Sequence, residues 1–220
     1  MGSTRLPGKS LMPVWRDMPL LEMVLRRVAA AREVDHVVLC TSDRPLDDPL
    51  VDVAATVGVE LHRGSEEDVL DRFIGALDRL GADAVVRICA DNPFVDPGAI
   101  DDLVRLYRAS QPCDYASNHT AASGLPDGSG AEIASAAALR RAGRDAVTID
   151  DRQHVTSWIR ERPREFPSVV APPPDPPWPF AKLDVDTHAD LRRMRELAAQ
   201  LPDEGAPLWD VATLMRVPVL

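Results

Sequence analysis

Two kinds of hydrophobic spacing alternate along the chain. Between residues 19 and 33, apolar positions recur at helical spacing, which predicts an amphipathic helix. A continuous apolar run of strand length then follows at 36–42, and further strand patterns follow at 58–64 and 84–90. Because further helical patterns separate these runs, the spacing favours an α/β fold, with a mainly parallel sheet and helices on both of its faces.

The same patterns continue along the rest of the chain and become less regular in its second half. Further strands are predicted at 114–118, 131–135, 166–171 and 181–187. Further helices are predicted at 48–57, from a capping box of Ser65 and Asp68 to Leu80, from Pro97 onward, at 135–142 and 150–162, after Thr187, and at 207–216. We expect a single domain over 1–220, in which about 119–180 forms a less regular insertion.

Composition and charge narrow the class of partner. The chain of 220 residues carries 25 Lys and Arg against 35 Asp and Glu, so its net charge is −10. An acidic surface repels polyanions, which argues against nucleic-acid polymers and anionic membranes as partners. No apolar run reaches the roughly 18–20 residues that span a bilayer. The 3 cysteines lack metal-ligand spacing and indicate reduced thiols, so we expect a cytoplasmic protein.

Acidic residues stand where two predicted strands end. Asp91 follows the run 84–90, while Asp184 and Asp186 lie on one face at the end of 181–187. Ligands of parallel sheets bind beyond the carboxyl ends of strands, and carboxylates from two such ends can share Mg²⁺ and clamp a triphosphate. The alternatives are a turn or helix cap at Asp91 and a helix cap at Asp186.

The N-terminal segment has the composition of a phosphate-binding loop. Gly2 and Ser3 let a backbone approach an anion closely, and Arg5 and Lys9 add two cations. Lys9 and Lys182 are the two lysines of the chain, which marks them as positions where a compact ammonium is wanted rather than a guanidinium. The alternative is a disordered tail with two charges.

Other polar residues have weaker patterns. Arg63 and Ser65 end a strand and open a helix, so they could meet a polar ligand or simply cap the helix. Arg87 lies in an apolar strand and needs a partner if it is buried. Glu132 is a candidate acid of an acceptor pocket or a surface residue, and His154, on a helix, is more often structural than catalytic.

Several motifs together identify a family. They occur in the order GSTRLPGK, PLLEMVLRRV, DHVVLCTS, RGSEEDVLDRF, ADNPFVDPGAID, SNHT, RQHVTSWI and LDVDTHADL. With these motifs, nearly the whole chain resembles the cytidylyltransferases of the spore-coat-polysaccharide type. These enzymes are related to those that make CMP-activated 3-deoxy-manno-octulosonate and CMP-sialic acid.

The resemblance implies a fold, a reaction and partners. The fold is that of the nucleotide-diphospho-sugar transferases, which is GT-A or Rossmann-like. The reaction is attack of an acceptor oxygen on the α-phosphate of CTP, which releases pyrophosphate and leaves a CMP-linked product. The implied partners are CTP, a sugar acid or related small acceptor, Mg²⁺ and a second copy of the chain in a homodimer.

The resemblance also implies residue roles by motif match. Arg5 and Lys9 hold the triphosphate in the GSTRLPGK loop with Gly2 and Ser3, and Lys9 stabilises charge on the α-phosphate. Asp91 and Asp186 bind Mg²⁺. The residues expected near cytidine are Arg63, Ser65 and Arg87, and those expected near the acceptor are Asn118, Glu132 and His154.

Two features depart from the family pattern. Gly130 stands where the family usually has an acid, two residues before Glu132, so we expect an altered acceptor pocket. The family also has a strand immediately before GSTRLPGK, whereas Met1 lies inside that motif here. We therefore expect the sheet to lack its first strand and the native chain to start several residues before Met1.

Alternative functions remain at this point. One is another sugar nucleotidyltransferase, or a glycosyltransferase, of the same fold; the late position of Asp184-Val185-Asp186 counts against a glycosyltransferase D-x-D motif. Another is a truncated, non-catalytic nucleotide-binding protein.

Overall fold

Eight strands and eight α-helices make up the part of the chain that a computed structural model describes, residues 2–173, 181–208 and 210–211. The strands are β1 (Pro13–Trp15), β2 (Met18–Pro19), β3 (Val38–Ser42), β4 (Glu60–Gly64), β5 (Ala84–Arg87), β6 (Tyr115–Ser117), β7 (Glu132–Ser135) and β8 (Ser168–Val170). The helices are α1 (Leu20–Ala29), α2 (Asp48–Val57), α3 (Val69–Leu80), α4 (Pro97–Ala109), α5 (Ala136–Asp145), α6 (Ile149–His154), α7 (Ser157–Arg160) and α8 (His188–Ala198). None of these helices is long and apolar enough to cross a bilayer.

The strand pairing makes the larger sheet mixed: β5, β6 and β8 run in one direction and β7 in the other. β3 and β4 are parallel, but the larger sheet has the order β5-β7-β6-β8, in which β7 is antiparallel to both neighbours. The physical reason is the connection between β6 and β7, which is a loop with one short 3-10 turn instead of a helix. A parallel crossover needs a long, usually helical connection, whereas an antiparallel return does not.

Helices cover both faces of the larger sheet, as the α/β pattern predicts. Ala116 and Ile133 pack with α1, α4 and α8 in one buried cluster, and their chain neighbours Tyr115 and Ala134 pack with α3, α5 and α7 in a second. This follows from the two-residue period of a strand, which sends successive side chains to opposite faces.

The strand system is interrupted in its middle. In the described residues β3 pairs with β4 and β5 pairs with β7, so the two strand edges that face each other form no ladder. Between them lies a cavity of about 1330 Å³, lined by both strands and by apolar side chains of helices on both faces, such as Leu21 and Phe73. The expected absence of a strand stays a prediction, and the gap is where such a strand would lie.

Two local elements differ from the sequence prediction. The helix expected over 150–162 is broken at Val155, whose φ of 58° separates α6 from α7. The segment 181–187 forms no ladder strand, but it is extended and bonded on both sides: Leu183 N–H donates to Asp127 and Val185 N–H to Asp91. These two bonds join the segment that holds Asp184 and Asp186 to the chain at Asp127 and at Asp91.

Other elements differ at their ends or escaped prediction. The side-chain cap of α3 is Asp68, whereas Ser65 accepts a bond from the Asp68 N–H one turn earlier. The short β1–β2 hairpin had no clear sequence signal, because its strands hold 3 and 2 residues and include prolines. Most of the helix predicted at 207–216 lies outside the described residues.

Candidate active site

The N-terminal loop is anchored to the domain and is not a loose tail. Leu6 is fully buried, its N–H donates to Ser3 Oγ at 3.2 Å, and its carbonyl accepts from the Lys9 N–H. Gly8 has a φ of 72°, a conformation that favours glycine, and it turns the chain so that Lys9 begins a 3-10 turn. The loop thus holds Lys9 in a fixed place.

Lys9 joins the two acidic strand ends. Its Nζ donates to Asp91 Oδ2 at 2.7 Å and to the Val185 carbonyl at 2.6 Å, and it lies 3.4 Å from Asp186 Oδ1. Arg5 Nη2 reaches the same Asp186 oxygen at 2.9 Å. Both carboxylates predicted from the sequence therefore meet, together with both predicted cations.

Neither carboxylate caps a helix. The side-chain cap of α4 is Asp96, and α8 is opened by a capping box of Thr187 and Asp190. Asp91 and Asp186 therefore cap no helix, which sets the helix-cap alternatives aside, while Asp91 does lie in a turn.

The second lysine lies at the same edge. Lys182 Nζ is 2.9 Å from Asp184, 3.3 Å from Asp190 and 3.7 Å from Asp186. Burial by itself would raise the pKa of Asp186, but the charges of Lys9, Arg5 and Lys182 outweigh it and hold that pKa below its ordinary value. Asp186 is thus ionised, which is the state in which a carboxylate binds a cation.

The donor set suits Mg²⁺ shared with a substrate better than a protein-only metal cage. In the described ranges, no group of three or more His, Cys, Asp or Glu side chains is arranged to hold a metal. Mg²⁺ commonly binds through one or two carboxylates, with the remaining positions filled by waters and phosphate oxygens. Asp91 and Asp186, drawn together around one ammonium, fit that pattern.

A second cavity, of about 530 Å³, lies beside the loop. It is lined by Gly2 and Ser10, by the end of β3, and by Glu66 and Arg72 at the start of α3. Arg72 was not predicted, and its Nε has no hydrogen-bond partner in the described residues. The position of this cavity next to Gly2 makes it the candidate nucleoside pocket.

Two of the residues expected near cytidine, Arg63 and Ser65, bind backbone groups of neighbouring segments instead. Arg63 donates to the carbonyls of Ser42 and Arg44 and pairs with Asp48 at 2.8 Å. Ser65 accepts from the Asp68 N–H in the turn before α3. Neither lines the pocket, and these contacts fix the end of β3 against the end of β4.

Arg87, the third residue expected near cytidine, pairs with Glu132. Strand register places Arg87 opposite Glu132 and Glu132 opposite Ser117. Arg87 Nη1 donates to Glu132 Oε2 at 2.6 Å, and Tyr115 Oη donates to Oε1 at 2.6 Å. The sequence argument that a buried Arg87 needs a partner is confirmed.

Glu132 is buried, so it contacts the basic side chains around it instead of facing solvent. Its side chain is 1% exposed, and Arg160 Nη1 at 3.4 Å and His119 Nε2 at 3.7 Å also face it. Burial by itself would raise its pKa, but the charge of Arg87 and the bonds from Tyr115 and Thr156 hold the pKa below its ordinary value. Burial lowers the pKa of His119, which favours its neutral form.

The other two acceptor candidates are not brought to Glu132. Asn118 uses its side chain on the backbone, donating to the Ala99 carbonyl at 3.0 Å and accepting from the Ala131 N–H at 2.6 Å. His154 is exposed and lies 3.3 Å from Asp150 on the same helix. Sequence reasoning missed His119 and Arg160, whose neighbours only the tertiary structure reveals.

The chain is similar to known cytidylyltransferases. A family model for cytidylyltransferases matches residues 1–201. The spore coat polysaccharide biosynthesis protein SpsF of Bacillus subtilis is 33% identical over 215 residues, which cover 94% of this chain and 87% of that protein. The 3-deoxy-manno-octulosonate cytidylyltransferase of Geobacter sulfurreducens is 33% identical over 104 residues, which cover 46% of this chain and 40% of that protein.

Solved structures have the same fold. A cytidylyltransferase from Leptospira borgpetersenii matches with a TM-score of 0.91 at 24% identity, covering 98% of this chain and 90% of that one. The CMP:2-keto-3-deoxy-manno-octonic acid synthetase complexed with CTP matches with a TM-score of 0.63 at 19% identity, covering 90% of this chain and 95% of that one. Because the family model matches most of the chain and a relative of 33% identity covers 94% of it, this chain belongs to the cytidylyltransferase family.

Proposed function

We propose that this protein transfers CMP from CTP to a hydroxyl oxygen of a sugar acid or related small acceptor and releases pyrophosphate. The observation that carries the proposal is the meeting of Lys9 with Asp91 and Asp186 at the ends of two chain segments. The expected cytoplasmic location and homodimer stay predictions.

The chain's own residues divide the work on the triphosphate. Arg5, which is largely exposed, and Lys9 bind phosphate oxygens, and Lys9 stabilises the charge that builds up on the α-phosphate during attack. Asp91 and Asp186 would hold Mg²⁺, which when bound neutralises phosphate charge and orients the triphosphate. The acceptor oxygen forms a bond to the α-phosphorus, the bond to the β-phosphate oxygen breaks, and the hydroxyl proton leaves to solvent.

In this proposal Lys9 exchanges partners when the nucleotide binds. Without substrate its ammonium lies between two carboxylates, where it lowers their mutual repulsion. A divalent cation held by Asp91 and Asp186 would supply that compensation instead, and the ammonium of Lys9 would then be free to bind phosphate oxygens. Lys182, at 3.7 Å from Asp186, keeps that carboxylate in place meanwhile.

We further propose that the gap between β3 and β5 accommodates one more strand in the active protein. Both facing strand edges are unpaired in the described residues, and apolar side chains line the cavity on both sides. Lys9, Arg87 and Asp91 also line it, so a strand there would support the loop and both acidic and basic groups of the site.

The experiment is pyrophosphate release measured with CTP, UTP, ATP and GTP across a panel of sugar acids. We expect release with CTP, about 10²–10³-fold less in Lys9→Ala and in Asp91→Asn, and no change in Asp52→Asn, a control on the exposed side of α2. Near-normal turnover in Lys9→Ala would overturn the site assignment. Tight CTP binding without release with any acceptor would instead support a non-catalytic nucleotide-binding protein, and a preference for UTP, ATP or GTP would support another nucleotidyltransferase.

A further inference from the structure

Positive charge is in excess on the sheet face below α7. Arg87 and Arg160 both face Glu132, and in the described part of the chain no other carboxylate lies within 4.0 Å of either guanidinium. Asp91 and Asp127 act on this cluster only at longer range. Since arginine stays protonated in proteins, one carboxylate compensates two cations here.

Arg160 presents the uncompensated charge. Glu132 is buried in the sheet and the Arg87 side chain is 17% exposed, whereas the Arg160 side chain is 41% exposed. Its contact with Glu132 at 3.4 Å is long, while the Arg87 contact at 2.6 Å is short. The guanidinium of Arg160 can therefore donate to a further anion without giving up a strong bond.

His119 forms the wall next to Arg160. Its Nδ1 is 3.1 Å from Ser117 Oγ, and its Nε2 faces Glu132. Gly130 makes room for it, because a Cβ at position 130 would lie 2.6 Å from His119 Cα. The residue where an acid was expected is thus a glycine on which His119 packs directly, so no acidic side chain at 130 offsets the positive charge.

Backbone strain fixes the position of α7. Val155 is buried and β-branched, yet its φ is 58°, and the Thr156 N–H donates back to the His154 carbonyl at 2.6 Å. This tight turn is rare and strained, and such strain concentrates at functional sites. It directs Thr156 and Arg160, from the next element, toward Glu132.

The basic cluster lies beside the phosphate site. Arg87 ends β5, and Asp91, which accepts from Lys9, follows it in the same chain segment. The partner of Glu132 in the sheet and the carboxylate that Lys9 binds therefore belong to one strand and the turn after it.

We infer that Arg160 and His119 form a binding subsite for a carboxylate of the acceptor, with Arg87 and Glu132 as positioning residues beneath it. This inference rests on the proposed function, which it deepens by assigning the acidic group of the acceptor to named residues. The carboxylate would accept from the free N–H groups of Arg160, and the His119 ring would orient it.

The test compares an acid with its neutral counterpart. The probe is 3-deoxy-manno-octulosonate against its methyl ester, with the Kd of each measured by calorimetry on the full chain saturated with CTP. We expect the wild type to prefer the acid and Arg160→Gln to lose about 10- to 100-fold in affinity for the acid only. Arg160→Lys should restore part of that preference, and Arg164→Gln, an exposed control, should change nothing.

The outcomes separate this inference from the proposed function. Equal affinity of the wild type for acid and ester, or an unchanged preference in a folded Arg160→Gln variant, would overturn the subsite. Thermal melting checks folding, and an unchanged Kd for CTP in Arg160→Gln shows that the nucleotide site is intact. Acid binding that depends on Arg160, but without pyrophosphate release, would contradict the proposed function and leave the subsite standing.

Discussion

The Lys9 cluster and the Arg87–Glu132–Arg160 cluster use the same kinds of groups in different arrangements. Around Lys9, two carboxylates share one ammonium, Asp186 also contacts Arg5 and Lys182, and the side chains remain partly open to solvent. Around Glu132, two guanidinium groups share one carboxylate that is 1% exposed. The first arrangement is suited to a divalent cation and a triphosphate, and the second to an anion. In the proposed reaction, the first site would hold the metal-bound nucleotide and the second the acidic acceptor.

The largest expected effect comes from removing the ammonium of the first cluster. We expect Lys9→Ala to lower kcat for pyrophosphate release about 10²–10³-fold, because a preorganised donor to the reacting phosphate is lost. Lys182 contacts the same Asp186 at the longer distance of 3.7 Å, so Lys182→Ala should lower kcat by less than about tenfold. Equal losses in the two variants would contradict the special role of Lys9.

Neutralising Glu132 tests the second cluster through stability. We expect Glu132→Gln to lower the free energy of unfolding by about 3–5 kcal/mol at pH 7, because it leaves two cations without their buried partner. Glu161→Gln, on an exposed turn nearby, is the control. Urea denaturation followed by circular dichroism measures both, and a loss below about 1 kcal/mol would show that the charge excess is already tolerated.

The pH dependence of that difference has a definite sign. The pKa of Glu132 is lowered in the folded protein, so its stabilisation is present above its ordinary pKa of 4.5 and is lost as the pH falls through the folded value. The Glu132→Gln variant has no carboxylate here, so its stability does not contain this pH-dependent contribution. The stability gap between wild type and variant should therefore shrink when urea titrations are repeated from pH 6 down to pH 3.5, and a constant gap would contradict the lowered pKa.

A smaller effect is expected from filling the gap that borders both clusters. Fusing a short extended segment of alternating β-branched residues ahead of Met1 should raise Tm by about 4–10 °C, because each new ladder bond contributes about 0.5–1.5 kcal/mol. A Gly/Ser segment of equal length is the matched control. Differential scanning calorimetry measures both, and an identical Tm would show that the cavity does not accept a strand.

The clusters also differ in how far the sequence could reveal them. Lys9, Asp91 and Asp186 were identified because each stands at a loop or strand end, where the α/β rule places ligands, and the structure brings all three together. His119 and Arg160 had no such signal, because the register of β6 and β7 and the turn at Val155 decide their neighbours. Arg63 and Ser65 had the right position along the chain, but their side chains serve the scaffold.

The elements of the fold also differ in whether the sequence alone predicts them. Local periodicity was enough for α1 to α5 and for β3 to β7, since a helical stripe and an apolar run are properties of neighbouring residues. The direction of β7 and the break between α6 and α7 depend on contacts between residues far apart in the chain, which a period cannot show. Arg27 is another case: it is 1% exposed inside α1 and donates to the carbonyls of Val95, Glu204 and Ala206.

By itself, the sequence determined the α/β class, the family and the three residues that meet at Lys9, because those follow from short motifs and from where strands end. Only the tertiary structure decided that β7 runs antiparallel, that a gap separates β3 from β5, and that Glu132 lies buried between two arginines. The physical reason is that pairing of strands and compensation of charge are long-range interactions. Their energies depend on which distant residues the fold brings within a few ångströms of each other.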